Sequence, residues 1–354
     1  MSPTLLEARD EAAAVELLHQ LGCTDGLPVI VPTAERVERM VLASGLDGDL
    51  CVAELGPALG AATVKKVAAA AVMAGCLPDH MALVLAAVRA VADPRFDLTE
   101  MQATTHCTAP LLLVNGPVRS AAGIASGFGA LGPGHRGNAV VGRALRLAMI
   151  NIGGGRTGES DMALLGHPGK FTFCLGEAEE QSPWEPLHVS RGFLAEQSVL
   201  TVVGAEAPHS VMVVTDNDDP SSPDRVLDAV ASMFSALGTN NAMLQGGAGV
   251  VVLNPEHAGV LAAAGMGRAE VAAAITERSG NPRGVLARQT PAFSRAGDPE
   301  DFVPCFHRPE DVLVLVAGGV GLYSMVMPTW CAGSHRNTPV SVEVELDQAC
   351  ALPT

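Results

Sequence analysis

The feature of this sequence that most restricts its fold is a series of short, almost wholly apolar runs, separated by segments with helical periodicity. The run "APLLLVNGPV" at 109–118 predicts a buried strand. Further strands are predicted at 171–175, 199–204, 211–215, 249–254, 312–317 and 340–346. Helical patterns at 224–237 and 257–278 lie between them. Strands that alternate with helices predict an α/β fold, with a mixed or largely parallel sheet and flanking helices.

The residues before the first buried strand carry helix signals. Apolar residues recur at helical spacing over 7–21. After a turn and a short strand in "CTDGLPVIVPT", Thr33 can cap a helix over 34–43. The following apolar stretch predicts two helices, because Pro78 lacks the amide hydrogen that would continue the first and Asp79 can cap the second.

The chain has 354 residues, which is enough for one large or two ordinary domains. A division near residue 195 would separate an N-terminal α/β part (1–195), which carries a glycine-rich loop and the candidate site, from a C-terminal α/β part (196–354). The segment 280–309 is rich in Pro, Arg and Gly and is the predicted flexible segment. The sequence contains no convincing internal repeat.

Composition excludes some classes of function. The net charge of −16 argues against a nucleic-acid partner, which would need a basic face. The N-terminus has early acidic residues and no apolar signal region, and the longest stretch without a charged residue, Val312 to His335, is interrupted by glycines and Pro328. We therefore expect a soluble cytoplasmic protein without a membrane partner, whose eight cysteines are reduced thiols.

Residues 115–158 hold 12 of the 38 glycines and lead into a helix that we predict to be capped by Asn138 and to end near Asn151. Free amides and the positive dipole end at a helix N-terminus attract anions. Arg136 lies just before this helix, and Arg143 and Arg146 lie on it. We expect Arg136, Asn138 and Arg143 to bind a small anionic substrate. The alternative is that the glycines only allow the backbone to turn and pack.

Three cysteines are candidate nucleophiles: Cys76, Cys107 beside His106, and Cys174. A thiolate needs a cation, a histidine or a helix N-terminus nearby before it can react. Each of the three has a basic or titratable neighbour in sequence. The alternative is that they are small buried hydrophobic residues.

The segment "GHPGKFTFCLGEAEEQSPWEPLH" at 166–188 concentrates polar and reactive side chains in an apolar chain. Lys170 precedes a predicted strand and Glu177 follows it, so we expect both at one sheet edge, near the carboxyl end of a strand, where ligands bind in open α/β sheets. Glu177 and His188 are candidate acid/base groups, and Lys170 can hold an anion. Glu180 and Trp184 are candidate substrate contacts. The alternative is a solvated acidic loop.

Three short Cys/His pairs raise the possibility of a metal: Cys76 with His80, Cys305 with His307, and Cys331 with His335. Zinc could use two such pairs, but no C-x-x-C is present, so no residue is assigned as a metal ligand and the cofactor is left unknown.

Three functional hypotheses follow from these residues. The first is an enzyme in which a cysteine, with histidine and glutamate partners, acts on a small anionic molecule by hydrolysis, elimination or transfer of a sulfur or nitrogen group. The second is a metal-dependent or thiol-redox enzyme. The third is a non-catalytic anion-binding subunit. The small-residue surface that this composition leaves is compatible with a homodimer.

Six segments, taken together and in this order, resemble a known group of proteins: "TDGLPVIVPTAERVERM", "AVMAGCLPDHM", "LLLVNGPV", "GNAVVGRALRL", "GHPGKFTFCLGEAEEQSPWEPLHV" and "VVVLNPEHAGVLAAAG". The group consists of poorly characterised bacterial proteins associated with the UGSC-type (seleno)protein family. The resemblance implies thiol or selenol chemistry, and it implies that Cys76 and the segment 166–188 share a site. In place of the name-giving motif this chain has only "CAGSH" at 331–335.

Overall fold

A computed structural model describes residues 6–216, 218–295 and 297–345. Within them the α-helices are α1 (Glu11–Gln20), α2 (Ala34–Ala43), α3 (Val64–Ala74), α4 (Met81–Ala92), α5 (Leu98–Ala103), α6 (Val118–Ala121), α7 (Arg136–Asn151), α8 (Leu187–Ser190), α9 (Ser222–Phe234), α10 (Pro255–Ala263), α11 (Arg268–Arg278) and α12 (Arg283–Ala287). The strands are β1 (Cys51–Leu55), β2 (Gly60–Thr63), β3 (Ala109–Asn115), β4 (Cys174–Gly176), β5 (Val199–Ala205), β6 (His209–Met212), β7 (Gly249–Leu253), β8 (Gly280–Pro282), β9 (Phe302–Pro304), β10 (Val312–Val316), β11 (Tyr323–Pro328) and β12 (Val340–Glu343).

The α/β fold contains two four-stranded mixed sheets. The order of the first is β12-β5-β3-β4, and the order of the second is β10-β7-β11-β6. Each sheet has one parallel pair, β3 with β4 or β7 with β10, and two antiparallel pairs. The remaining strands form two small hairpin-like pairs, β1 with β2 and β8 with β9.

The two sheets lie face to face between two layers of helices. Successive side chains of a strand point to opposite faces. Leu111 and Leu113 of β3 therefore share one core with Val250 and Val252 of β7, between the sheets. The intervening side chains of β3 pack against α3, α4 and α7, while those of β7 pack against α9, α10 and α11. The layer order is helix, sheet, sheet, helix.

The two sheets repeat one topology and exchange one strand. β3, β4 and β5 correspond to β7, β10 and β11, with the same directions in each sheet. The fourth strand comes from the other half of the chain: β6 follows β5 but pairs with β11, and β12 follows β11 but pairs with β5. A bridge between Ala205 and Thr329 joins the ends of the two central strands. Each half therefore completes the sheet of the other, and a division at residue 195 would separate the paired strands β3 and β5.

Several local predictions are confirmed. Asn151 ends α7, and Oγ1 of Thr33 accepts a hydrogen bond from the N–H of Arg36 at 3.3 Å as the N-cap of α2. The buried runs at 109–118, 199–204, 249–254 and 312–317 all contain strands. The predictions at 211–215, 171–175 and 224–237 are displaced by a few residues, to β6, β4 and α9. The prediction at 340–346 shortens to β12, and residue 346 lies outside the described residues.

Other local predictions are wrong for identifiable reasons. The first helix begins only at Glu11, because Asp10 caps it, and the residues before α2 form no strand. The predicted helix 257–278 is two helices, because the chain turns between them at Gly265, where φ is +80°. Asp79 caps nothing: it lies in a 3₁₀ turn, whose entry is held by the ring of His80. The segment 280–309 contains the paired strands β8 and β9, and its flexibility stays a prediction.

Candidate active site beside the first sheet

A cavity of about 610 Å³ lies between the loop after α1, the second half of α7 and the segment 155–171. We call it the Lys170 cavity. At its bottom Lys170 Nζ lies 2.7 Å from Asp161 Oδ1, and Arg146 Nη1 lies 3.3 Å from Asp161 Oδ2. Arg146 Nε also donates to the carbonyl oxygen of Lys170 at 2.6 Å. Arg146 and Asp161 are only 7% and 3% exposed, so one carboxylate faces two cations in a place that water barely reaches.

These neighbours and burial shift the pKa of the Lys170 amine. Burial lowers its pKa, because removal of water disfavours the ammonium, and the cation of Arg146 lowers it further. The carboxylate of Asp161 and the nearby Cys107 sulfur act in the opposite direction. A lysine whose pKa is lowered can give and take a proton closer to neutral pH than a surface lysine can.

The Cys107 thiol lies next to the cavity wall, in contact with a lining residue. The backbone N–H of Gly166, a lining residue, donates to Cys107 Sγ at 3.2 Å. Lys170 Nζ is 3.5 Å from the carbonyl oxygen of Thr108, the next residue in the chain. The sulfur therefore accepts a hydrogen bond from a backbone donor and lies close enough to Lys170 for the two groups to interact electrostatically.

His106, the neighbour of Cys107, belongs to a polar chain. Its Nε2 lies 3.0 Å from Glu206 Oε1, and its Nδ1 lies 3.2 Å from Asn240 Nδ2. Since an amide NH₂ can only donate, Nδ1 is the acceptor and the Nε2 hydrogen points to the carboxylate. Both ring nitrogens of His106 are thus bonded to Glu206 and Asn240 and neither to Cys107, so these partners fix the orientation and tautomer of the imidazole.

The structure separates Cys107 from the other predicted thiols. Burial raises the pKa of Cys76 and of Cys174 to about 12, so both remain protonated at neutral pH. The thiol of Cys76 donates to the carbonyl oxygen of Val140 on α7, and no hydrogen bond among the described residues links it to the segment 166–188. The shared site that the resemblance implies for Cys76 and that segment stays a prediction.

The side chains of the glycine-rich region that were predicted to bind an anion make hydrogen bonds to groups of the protein. Arg136 donates to the carbonyl oxygen of Gly75, and Arg143 is paired with Asp25 at 2.7 Å and 2.9 Å. Asn138 does not cap α7, because the helix begins at Arg136. It is buried inside the helix, and its amide bonds backbone groups of three other segments, at Ala125, Ala130 and Cys174. Arg146 is the arginine of this helix that lines the Lys170 cavity.

The expectation that Lys170 and Glu177 meet at one sheet edge is wrong. Lys170 contacts Thr108, just before β3, whereas the N–H of Glu177 donates to the carbonyl oxygen of Val114 near the far end of the same strand. The seven steps between the two residues run along β4, and a strand advances about 3.3 Å per residue. The segment 166–188 is thus divided between the two ends of the sheet, and the cavity lies at the amino end of β3, beside the carboxyl end of the antiparallel strand β5.

Glu177 lies in a buried ionic network that joins the two halves. Its carboxylate accepts hydrogen bonds from Asn115 Nδ2 at 2.6 Å, from the N–H of Leu187 at 2.7 Å and from Arg268 Nη2 of α11 at 2.8 Å. The side chain is fully buried and does not line the Lys170 cavity. This geometry gives Glu177 a role in stability and no access to a substrate.

The last three predicted residues of the segment also lie outside the Lys170 cavity. Glu180 is exposed and paired with Arg119, whose hydrogen bond lowers the pKa of that carboxyl group. Trp184 donates through Nε1 to the carbonyl oxygen of Met266, and its ring lies 5.8 Å from the guanidinium of Arg268. His188 is fully buried, and neither ring nitrogen has a hydrogen-bond partner among the described residues.

The predicted Cys/His pairs do not assemble into a metal centre. Cys305 is buried against the carbonyl oxygen of Phe234, and Nδ1 of His335 is bonded to Asp97. Across the described ranges, no group of three or more His, Cys, Asp or Glu side chains has the geometry to hold a metal ion. The seven cysteines within these ranges are free thiols.

Three histidines are used as fixed hydrogen-bonding elements. Nδ1 of His167 accepts from the N–H of Gly169 at 3.1 Å, so its Nε2 hydrogen donates to Ala205, 3.3 Å away. The rings of His80 and His257 likewise bond groups of the protein at both nitrogens. Burial lowers the pKa of all three, so each favours the neutral form in the folded protein.

These three histidines predict a loss of stability in mild acid. Because their pKa values are lower in the folded than in the unfolded state, the unfolded state binds more protons as the pH falls from about 6.5 through the folded-state values. We expect the urea midpoint to decrease between pH 7 and pH 5, and the His257→Gln variant to show a shallower decrease. His335, whose pKa the Asp97 contact raises, has the opposite sign, so His335→Gln serves as the control. A midpoint that is constant or rises over this range would contradict the assignment.

Sequence reasoning missed several members of the site. Asp161 follows a glycine-rich turn with no motif around it, and Glu206 is 100 residues from its partner His106. His167 lies within the segment 166–188 but carries no pattern that distinguishes it from a surface histidine. In the sequence, only the histidine and the lysine near the amino end of the segment 166–188 indicated that this end could belong to a site.

The chain matches no protein-family model, no curated protein and no solved structure. Within residues 6–345, apart from 217 and 296, no single helix is long and apolar enough to cross a membrane; the pair α10 and α11 passes such a test only together and is bent by 95°.

Proposed function

We propose that this chain is a small-molecule enzyme that uses Cys107 as a nucleophile on an anionic substrate bound in the Lys170 cavity. The observation that carries the proposal is the position of Gly166, which lines the cavity and donates its N–H to Cys107 Sγ at 3.2 Å. The thiol, the buried ammonium of Lys170 and a backbone donor thus come together at one wall. The thiol chemistry implied by the resemblance to UGSC-associated proteins points in the same direction.

The charges of the cavity favour an anion. Its lining carries Arg146, Arg156 and Lys170 against Asp25 and Asp161, and Asp25 is already paired with Arg143. This excess of positive charge occurs in a chain whose net charge is −16. A cationic cavity on an anionic protein concentrates anions locally.

The chemistry is nucleophilic substitution at an electrophilic carbon of the substrate. The Lys170 amine takes the proton of the Cys107 thiol as Sγ forms a bond to that carbon, and the leaving group departs with the bonding electrons and takes this proton from the Lys170 ammonium, which leaves a thioester or thioether. In hydrolysis of the thioester, the Lys170 amine accepts a proton from the attacking water and returns it to Cys107 Sγ as the S–C bond breaks. The other expected reaction classes, elimination and transfer of sulfur or nitrogen groups, begin from the same activated thiol.

An activated ester that carries a carboxylate tests this proposal. We expect mono-(4-nitrophenyl) succinate to release one 4-nitrophenolate per chain in a rapid phase and to leave a succinyl group on Cys107, as mapped by mass spectrometry. The neutral ester 4-nitrophenyl acetate should react more slowly, and Cys107→Ala should abolish the rapid phase. Release that is unchanged in Cys107→Ala would refute the nucleophile, whereas the absence of a rapid phase in the wild-type protein would favour the non-catalytic anion-binding alternative.

The cellular location and the assembly state are further proposals. We propose a cytoplasmic protein, supported by the acidic charge and by the free thiols of the described residues. A homodimer remains the expected assembly.

A further inference from the structure

We propose that the substrate of this site is an amphipathic monocarboxylate with a medium-length aliphatic chain. The inference deepens the proposed function and rests on it for the placement of the substrate in the Lys170 cavity. Its basis is the change in chemistry from the bottom of the cavity to its mouth.

The bottom of the cavity recognises one negative charge. Asp161 can neutralise only one of the two cations that it contacts, Lys170 and Arg146, and all three are largely shielded from water. A carboxylate that enters beside Asp161 can accept hydrogen bonds from the remaining donors of these cations. Charge-assisted bonds of this kind are about twice as strong as those between neutral groups.

The mouth of the cavity is apolar. Leu165 is 94% exposed and Phe171 is 43% exposed, and both line the opening. The neighbouring Leu164, 77% exposed, adds a second leucine to the same segment. Adjacent leucines that are almost fully exposed are unfavourable in water, and such apolar surface at a binding groove marks contact with an apolar ligand.

The segment that carries these leucines is held in place by the backbone. The N–H of Met162 donates to the carbonyl oxygen of Gln102 at 2.9 Å, and the N–H of Leu164 donates to that of Thr105 at 3.0 Å. Leu165 is thus positioned above the cavity by hydrogen bonds that leave its own side chain free. A volume of about 610 Å³ lies within the range of small-molecule sites and exceeds what a two-carbon acid would fill.

Calorimetric titration of the full-length protein with acetate, butyrate, hexanoate and octanoate tests the proposal. We expect the affinity to increase up to about fourfold for each methylene that leaves water. 1-Octanol, which has the same chain without the charge, should bind at least tenfold more weakly than octanoate. Lys170→Met should reduce this preference for the charged head group, and Leu165→Ser, at an exposed position, should reduce the dependence of the affinity on chain length.

Each result has a definite meaning. Equal affinities for acetate and octanoate, equal affinities for octanoate and 1-octanol, or no binding of octanoate would overturn the substrate class. The mono-(4-nitrophenyl) succinate assay on the same preparation separates this from failure of the proposed function. If Cys107 is acylated but octanoate does not bind, only the substrate class fails; if octanoate binds but Cys107 is never acylated, the enzymatic function fails.

Discussion

Arg268→Met is expected to reduce the free energy of unfolding by about 3–5 kcal/mol, because it leaves a buried carboxylate without its cation. Arg268 Nη2 donates to Glu177 Oε1 at 2.8 Å and to the carbonyl oxygen of Glu185 at 2.5 Å, and its Nη1 bonds the backbone of Val314. Removal of the guanidinium therefore also leaves buried carbonyl groups unpaired. The effect is large because the pair ties α11 of the second half to the end of β4 in the first.

Urea unfolding followed by circular dichroism measures this effect. Arg308→Met is the matched control, since Arg308 makes an exposed ion pair with Asp311 at 2.7 Å, and we expect no measurable change there. The double variant Arg268→Met/Glu177→Gln should recover part of the loss, because it no longer buries an unpaired charge. If Arg268→Met and Arg308→Met were equally stable, Glu177 and Arg268 would not form the link between the halves that the structure assigns to them.

Lys170→Met is expected to abolish the preference of Cys107 for an anionic alkylating agent. Iodoacetate and iodoacetamide form similar thioethers, but only iodoacetate carries a charge that the Lys170 ammonium attracts. In the wild-type protein we expect the ratio of the two rates at Cys107 to exceed the ratio at the exposed Cys51 by about tenfold, which corresponds to one favourable buried charge interaction of roughly 1.4 kcal/mol.

The Lys170→Met variant distinguishes an electrostatic effect of the ammonium from an effect on the accessibility of Cys107. If Lys170→Met lowers the rate with iodoacetate and leaves the rate with iodoacetamide nearly unchanged, the ammonium acts through charge. Arg156→Met, which removes an exposed lining cation that bonds the carbonyl oxygen of Gly22, provides the comparison and should have a smaller effect. Equal losses with both reagents in Lys170→Met would mean that the side chain only shapes the wall.

The sequence was sufficient to predict most helices and strands, but it was insufficient to predict which strands pair with each other. Thr33 and the run at 109–118 carry local signals, a cap and an unbroken apolar pattern, and both predictions are confirmed. The exchange of β6 and β12 has no local signal, because short apolar strands such as "HSVM" and "VSVE" can pair with either sheet. What decides the pairing is the burial available in the complete molecule, which no window of the sequence contains.

Only part of the site could be predicted, because the sequence does not show which reactive side chains the fold brings together. Cys107, His106 and Lys170 carry reactive groups that stand out in an apolar chain, and the structure brings them to one region. Glu177 stood out equally, but its position after β4 places it at the opposite end of the sheet, where Arg268 neutralises it. Residue type therefore indicated the chemistry, whereas the direction and length of a strand decided which groups could meet.

The most direct test of the central claim is the order in which the cysteines of the native protein react with limiting iodoacetate at neutral pH, mapped by mass spectrometry. The account predicts that Cys107 is carboxymethylated first, ahead of the more exposed Cys51, while Cys76 and Cys174 remain unmodified because burial raises the pKa of each to about 12. If Cys51 reacts first and Cys107 stays unmodified, the thiol beside the Lys170 cavity is not the reactive group of this protein.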